Sequence, residues 1–470
     1  MDNVFLILGL IYALTFWILG WRYPGIALAL IFSVAPFAND LAGGVAGVKF
    51  SFAEVNLVLA LPLLGAALLK GDKQIQGWPF LWPCVIYFTV CVASAIFVQW
   101  RGNAALTSMF QMVLFLFVLI PVFSILARRP EDLLLALWGL LGSAAFIALN
   151  VLVTRSPYVL GLHKNNMGGS LSCAFIVGFE LWFHYRDKES WHKRALLVLL
   201  LIISGGLLMT LSRGGWLAAI SGAFFITLLR RQFAAVGRFS LLLVPLLAVA
   251  WLTLPQESRS YATSFDASRG NISQRYINQD IAMSFFESNP ILGGGLGIRK
   301  EFDATQLVLF TLAETGVLGL LTFAAMFVAF FAMIWKTQKR FAHGEMSFSL
   351  LAIAGALMLS RLGHGMVDHY WQRGPTMMAW ATAGMATGVF LYGPKTAYST
   401  RLKRARALLA LHLLEMKRRG QNVPLLSRRE LQQANEALSL VLSERGVDAA
   451  SAVSRIPATS TSPSRKSVSL

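Results

Sequence analysis

Charge is scarce in this chain, and negative charge scarcest. Only 14% of the 470 residues are charged, with 23 Asp and Glu against 41 Lys and Arg, while 56% are hydrophobic. That balance leaves too little polar surface to cover a water-soluble protein of this length. Cysteine is nearly absent: Cys84, Cys91 and Cys173 all fall inside apolar stretches, without the spacing of metal ligands. They are expected to be buried structural thiols. There is no Asp-rich metal motif, no nucleic-acid motif and no evident internal repeat, which disfavours the inverted-repeat transporter folds. The first apolar stretch lacks a basic n-region and a small-residue cleavage site, so it is expected to be retained as a helix.

What the chain does have is apolar length, and its mean hydropathy is +0.61. Thirteen runs stand out, at 4–20, 24–38, 54–69, 79–98, 108–127, 133–153, 168–185, 195–210, 213–229, 239–254, 306–335, 347–362 and 375–393. Most approach the roughly 20 residues that cross a bilayer as a helix. The first two are short and the 195–229 block can be cut differently, so twelve to fourteen spans are expected. The fold class is all-α, a polytopic transmembrane helix bundle with one long external loop, 255–306, that contains short helices.

Basic residues set the expected orientation. Arg22, Lys70, Lys73, Arg128, Arg129, Arg186, Lys188, Lys193, Arg194, Arg230, Arg231, Arg238, Lys336, Lys339 and Arg340 fall in alternate connections, fifteen on one side. The opposite short connections hold seven: Lys49, Arg101, Arg155, Lys164, Arg213, Arg361 and Arg373. The positive-inside rule makes the first set and the C-terminal tail cytoplasmic, and turns 154–167, 255–306 and 361–374 outward. The body is expected to run over 1–394. Residues 395–447 form basic amphipathic segments, with Leu402, Leu409, Leu413 and Met416 on one face of an interfacial helix and a capping box at Ser427 and Glu430. Ser, Ala, Thr and Pro dominate 448–470, which is expected to be disordered. The net charge of +18 is half concentrated in this tail, a fit to anionic lipid headgroups rather than nucleic acid.

Three segments carry residues suited to chemistry. In Ser212-Arg213-Gly214-Gly215, the arginine at a helix break either snorkels to headgroups or binds an anion, and the glycines allow close backbone approach. The long loop offers Arg259, Arg269, Arg275, Arg299 and Lys300 against six carboxylates, so specific arginines matter more than net charge. Within it, 273–288 reads as an amphipathic helix with Tyr276, Ile277, Ile281, Met283 and Phe285 available for packing. Gly293-Gly294-Gly295-Leu296-Gly297 is either a turn back to the membrane or a backbone nest for a ligand. It lacks the preceding strand of a dinucleotide fingerprint. The third segment gathers Arg361, His364, Asp368, His369, Tyr370, Trp371 and Arg373. Its aromatics fit a membrane-interface belt. Its histidines, five residues apart, are poorly placed for zinc, so a general base or groups orienting a hydroxyl are the sharper reading. His163-Lys164-Asn165-Asn166 is a weaker cluster of the same kind.

The order of these pieces resembles the bacterial O-antigen ligase and Wzy polysaccharide polymerase superfamily. An SRGG between two spans is followed by a long loop with an internal arginine, a Pro290-Ile-Leu-Gly-Gly-Gly-Leu-Gly297 turn, and a span carrying Ala313-Glu314-Thr315-Gly316. The resemblance has motif support over about 160–335. It implies a GT-C-like fold for the 1–394 body as a catalytic domain, with Arg213 and Arg275 holding the diphosphate of an undecaprenyl-diphosphate-linked glycan. Arg269, Arg361 and Arg373 are further candidates for substrate binding. Many members carry a His-Asn pair nine residues before the motif Glu; here those positions are Thr305 and Gln306. His364, Asp368 and His369 are the expected substitutes. The implied activity is metal-independent polymerisation of lipid-linked repeat units at the outer face of the bacterial inner membrane, without cofactor. The alternatives are transfer to lipid A core or protein, and a flippase or transporter. Membrane lipids, a flippase and a chain-length regulator are the expected partners, and nucleic acid is not.

Overall fold

The computed structural model describes residues 2–37, 51–70, 77–127, 129–186, 191–263, 270–298, 306–367 and 373–396. It is 83% helical, with no strand among the described residues. All thirteen apolar runs are helical. In chain order the helices are α1 (Asp2–Arg22), α2 (Pro24–Val34), α3 (Phe52–Leu59), α4 (Leu61–Leu69), α5 (Leu81–Phe97), α6 (Asn103–Met112), α7 (Ile120–Ile125), α8 (Leu134–Thr154), α9 (Lys164–Tyr185), α10 (Trp191–Met209), α11 (Arg213–Arg230), α12 (Phe233–Leu252), α13 (Gln256–Thr263), α14 (Gly270–Ser288), α15 (Leu307–Thr337), α16 (Met346–Gly365) and α17 (Arg373–Tyr392). A π-helix, Val113–Leu119, joins α6 to α7. Pro121 follows it and has no N–H to give back to the chain, which favours a widened turn just before it.

Six segments are long and apolar enough to cross a bilayer: Phe52–Leu69, Asn103–Ile125, Pro130–Thr154, Trp191–Met209, Leu307–Arg340 and Met346–Gly365. α1, α2, α5 and α12 contribute shorter apolar stretches. α9, α11 and α17 fall outside both groups for a physical reason. Glycine, serine, threonine and charged residues lower their hydropathy, and those residues turn toward protein rather than lipid. α9 is buried almost throughout from Met167 to Leu181, and α17 from Gly374 to Thr387. The outward surface is apolar instead: Leu69 is 90% exposed, Val153 81% and Val328 70%. Water would not tolerate such a surface, whereas hydrocarbon does.

The bundle is the unit formed by Met1–Gln338 and Ala342–Gly393. Lys339–Phe341 group with the tail from Pro394, whose expected helices and disordered end lie outside the described residues. Inside the bundle α16 packs on α9, α11 and α17, α15 on α5 and α14, and α8 on α2 and α10. Small residues bring the helices close, as membrane bundles require. Gly384 and Gly388 of α17, four apart, lie against Ile120 and Ser124 of α7, where added Cβ atoms would stand 2.9 and 3.1 Å from carbonyl oxygens. The three cysteines are buried and free.

Helix α14 covers the expected 273–288 but packs through a different face. Ala282 and Phe285 meet Ile298, Phe310 and Ala313, while Tyr276, Ile277, Ile281 and Met283 stay exposed. The small Ala282 lets α14 lie close on α15, and that turns the bulkier side chains away.

One polar cluster crosses the bundle interior. Arg230, counted above as an inner-side charge, is buried against Glu180: Nε donates to Oε2 at 2.8 Å, and Nη2 pairs with Oε1. Nη1 donates to the His343 carbonyl at 3.0 Å and Nη2 to Ser349 Oγ at 3.1 Å, with Ser349 Oγ also bonded to His184 Nδ1. Phe183 and Phe348 face the guanidinium. Removing one partner strands the other charge, so Arg230→Ala and Glu180→Ala are each expected to cost about 3–5 kcal/mol. Thermal unfolding of the detergent-solubilised chain measures this, and Arg230→Met with Glu180→Leu should restore most of the loss.

Candidate functional site

The chain turns sharply before α11. Leu211 takes a positive φ of 54°, and Ser212, extended, caps the helix by accepting the Gly215 N–H at 3.2 Å. Arg213 is therefore the first residue of α11 and sits half-buried at its N-terminus. This turn packs directly on α9. A Cβ on Gly215 would stand 2.9 Å from the Gly168 backbone, and one on Gly168 only 2.5 Å from Ser212 Cβ.

Helix α9 begins equally tightly. His163 Nδ1 accepts the Asn165 N–H at 3.3 Å. Partial desolvation, helped by the neighbouring Lys164 charge, holds His163 below the usual imidazole pKa. The first turn of α17 closes the third side: a Cβ on Gly169 would meet Pro375 Cγ and Arg361 Nη1, both at 3.0 Å. Three helix N-termini thus converge, each contributing about half a positive charge at its end.

Into this junction α16 sends its C-terminal turn. The His364 ring, fully buried, lies against Gly214, where a Cβ would come within 2.5 Å of Cδ2 and Nε2. One turn earlier Arg361 is also buried; Nη2 donates to Ser172 Oγ at 3.1 Å, while Nε and Nη1 have no hydrogen-bond partner among the described residues. From α14, Arg275 Nη1 donates to the Val367 carbonyl at 2.7 Å, and the Val367 N–H itself bonds the His364 carbonyl at 3.1 Å. Arg275, Arg361 and His364 therefore meet at one turn, 361–367, and Arg213 is next in the chain to Gly214, which packs on the His364 ring. Arg373 opens α17 at the same junction. Asp368, His369 and Arg269 lie outside the described residues. The sequence reading missed Ser172 and the glycine pair Gly168-Gly169, whose spacing on an otherwise apolar helix was the available signal.

The glycine turn 290–297 is tied into the fold, with the N–H groups of Gly293, Gly294 and Gly297 taken by the Asn289 carbonyl at 2.8 Å, the Ala313 carbonyl at 2.7 Å and Glu314 Oε1 at 2.7 Å. Ser94 Oγ bridges the Leu292 and Glu314 carbonyls, and Arg101 reaches the Gly294 carbonyl. The turn presses into a break in α15 at Gly316, whose φ of 65° and ψ of −164° suit glycine alone. A Cβ on Gly293, at φ 70°, would meet the Glu314–Thr315 peptide at 2.6 Å. Gly293→Ala is therefore expected to destabilise the chain by about 1–3 kcal/mol. Limited proteolysis should then cut within 289–298 at a protease level the native chain resists.

Residues 195–324 match a family model, Wzy_C, described as O-Antigen ligase. No curated protein matches the chain. The matched span runs from α10 into α15 and holds Arg213, Arg275, the glycine turn and the Gly316 break, whereas Arg361 and His364 lie beyond it. The matched model describes a glycosyl-transfer family and gives the transporter alternative no support. Over residues 195–324 the chain is therefore similar to the O-antigen ligase family, and among the described residues it carries six helical segments long and apolar enough to cross a membrane.

Proposed function

We propose that the chain polymerises undecaprenyl-diphosphate-linked repeat units at the outer face of the bacterial inner membrane. The observation that supports this reading is the turn 361–367, held by Arg275 from α14 and packed on Gly214, the neighbour of Arg213, where three helix N-termini converge. Two planar guanidiniums and three positive helix ends suit a diphosphate, which a single snorkelling arginine would not need. The polar junction belongs to the connections that positive-inside counting turns outward, with the C-terminal tail cytoplasmic.

In the reaction, the bond between the anomeric carbon and the diphosphate oxygen breaks and its electron pair stays on the leaving group. Arg213 and Arg275 stabilise that growing charge. The acceptor hydroxyl forms the new glycosidic bond and gives its proton to His364, the substitute for the family histidine missing at Thr305. The buried His364 becomes reachable once Arg275 exchanges the Val367 carbonyl for phosphate oxygens, which frees the turn covering the ring. Asp368 and His369 act beside it on the acceptor. Arg361 and Arg373, with Arg269 from the loop, add positive potential around the donor. The arginines fill the role a divalent cation would otherwise take. A flippase that supplies the donor and a chain-length regulator are the partners this activity calls for.

A second reading, transfer of finished glycan to lipid A core or protein, is favoured by the description of the matched family model as a ligase. Donor chemistry is the same in both, and the acceptor differs.

Arg213→Ala and Arg275→Ala are each expected to lower turnover by about 10²–10³, with membrane insertion intact. Arg→Lys at either position should fail similarly, because a point charge does not reproduce the fork. The readout is polymer length in cells and undecaprenyl diphosphate release by the purified chain; native polymer from both Ala variants would remove the proposal. His364→Gln should keep donor binding but lose transfer, as measured by donor titration beside turnover.

A further inference from the structure

Arg101, in the connection between α5 and α6, has no part in the proposed transfer, yet its side chain is held in three ways. Nη2 donates to Gln99 Oε1 at 2.6 Å and to the Gly294 carbonyl at 3.1 Å. The guanidinium carbon also stands 5.4 Å from the centre of the Phe285 ring on α14. A planar guanidinium can do both at once, donating within its plane while its face covers an aromatic ring.

The backbone beneath this side chain is close-packed. A Cβ on Gly295 would stand 2.7 Å from the Gln99 carbonyl oxygen, and one on Gly297 would stand 2.9 Å from the Ala105 nitrogen. The connection that carries Arg101 thus lies directly on the glycine turn. The Phe285 ring meets the same turn from the other side, where a Cβ on Gly294 would come within 2.6 Å of Cδ1. Phe285 also packs on Ala282, Ile298, Phe310 and Ala313. Arg101 therefore covers the ring that seats α14 on both the turn and α15.

Helical spacing carries this hold to Arg275. Arg275, Asn278, Ala282 and Phe285 follow one another at intervals of three, four and three, so they form one stripe of α14. Arg101 grips the C-terminal end of that stripe, and Arg275 at the other end bonds the Val367 carbonyl. Ten residues of helix span about 15 Å, so a small shift of Phe285 on its seat displaces Arg275 as a lever would. Tyr276, Ile277, Ile281 and Met283 point away, exposed, and add no second seat on α15. We infer that Arg101 is a positioning residue for the donor site: it fixes α14 through Phe285, and α14 holds Arg275 at the diphosphate. The inference rests on the reading of Arg275 as a diphosphate ligand.

Two measurements on the full chain in lipid nanodiscs test it, with Arg101→Met removing the cation and Arg101→Lys keeping it. Amide hydrogen exchange is first followed without ligand. Over α14 it should quicken by about tenfold in Arg101→Met and by less in Arg101→Lys, while Met167–Leu181 of α9 keeps its native rate. Undecaprenyl diphosphate is then titrated. Its Kd should rise by about fivefold in Arg101→Met, recover in part in Arg101→Lys, and rise no further when Arg101→Met is added to Arg275→Ala. Native exchange over α14 in Arg101→Met would overturn the inference. So would an equal loss of affinity with and without Arg275, since Arg101 would then act on its own. Quicker α14 exchange beside native affinity in Arg275→Ala supports the hold on α14 and removes the diphosphate reading instead. Phe285→Leu gives the same two readouts should Arg101→Met fail to insert.

Discussion

Backbone against backbone is the contact on which this molecule turns. Gly215 of α11 lies on the Gly168 backbone of α9, Gly169 lies against Pro375 and Arg361, and Gly214 lies against the His364 ring. A methyl at Gly215 would drive the first turns of α9 and α11 apart. The same closeness draws the positive ends of three helices together and leaves His364 pressed on Gly214. The arrangement concentrates electrostatic potential without spending many charged residues, which fits a chain whose charge is so sparse.

Two buried guanidiniums show how differently the bundle treats charge. Arg230 has all three nitrogens of its fork engaged, by Glu180, Ser349 and the His343 carbonyl, so it holds α9, α11 and α16 together. Arg361 donates to Ser172 Oγ and keeps Nε and Nη1 without a hydrogen-bond partner among the described residues. A charge that is fully answered serves the fold. One that is incompletely answered, beside the turn that Arg275 holds, is available to the proposed donor site. The glycine turn locked onto Gly316 sets the height at which α14 lies on α15, and with it the reach of Arg275 to Val367.

Much of the fold was legible in the sequence because hydrocarbon length is a strict requirement: every apolar run became a helix. The polar helices α9, α11 and α17 were also found, since their runs are long even where glycine and serine dilute them. Arg213, Arg275, Arg361 and His364 could be named from composition and motif order, but not their proximity, which depends on glycine contacts between helices far apart in sequence. The Glu180–Arg230 pair escaped notice for the same reason, its members lying 50 residues apart. Arg230 looked like an ordinary inner-side charge. On α14 the error was one of face: bulk suggested that Tyr276 and Ile281 would pack, whereas close approach selected Ala282. The glycine turn could be read two ways until its amides were traced to Asn289, Ala313 and Glu314.

The central claim is that Arg213 and Arg275 hold one diphosphate between them. The affinity of undecaprenyl diphosphate for the native chain, for each Ala variant and for the double variant closes a thermodynamic cycle. Groups sharing one ligand anion should couple by about 1 kcal/mol or more, the double variant losing less than the sum of the singles. Strictly additive losses, or no loss from either variant, would contradict the account.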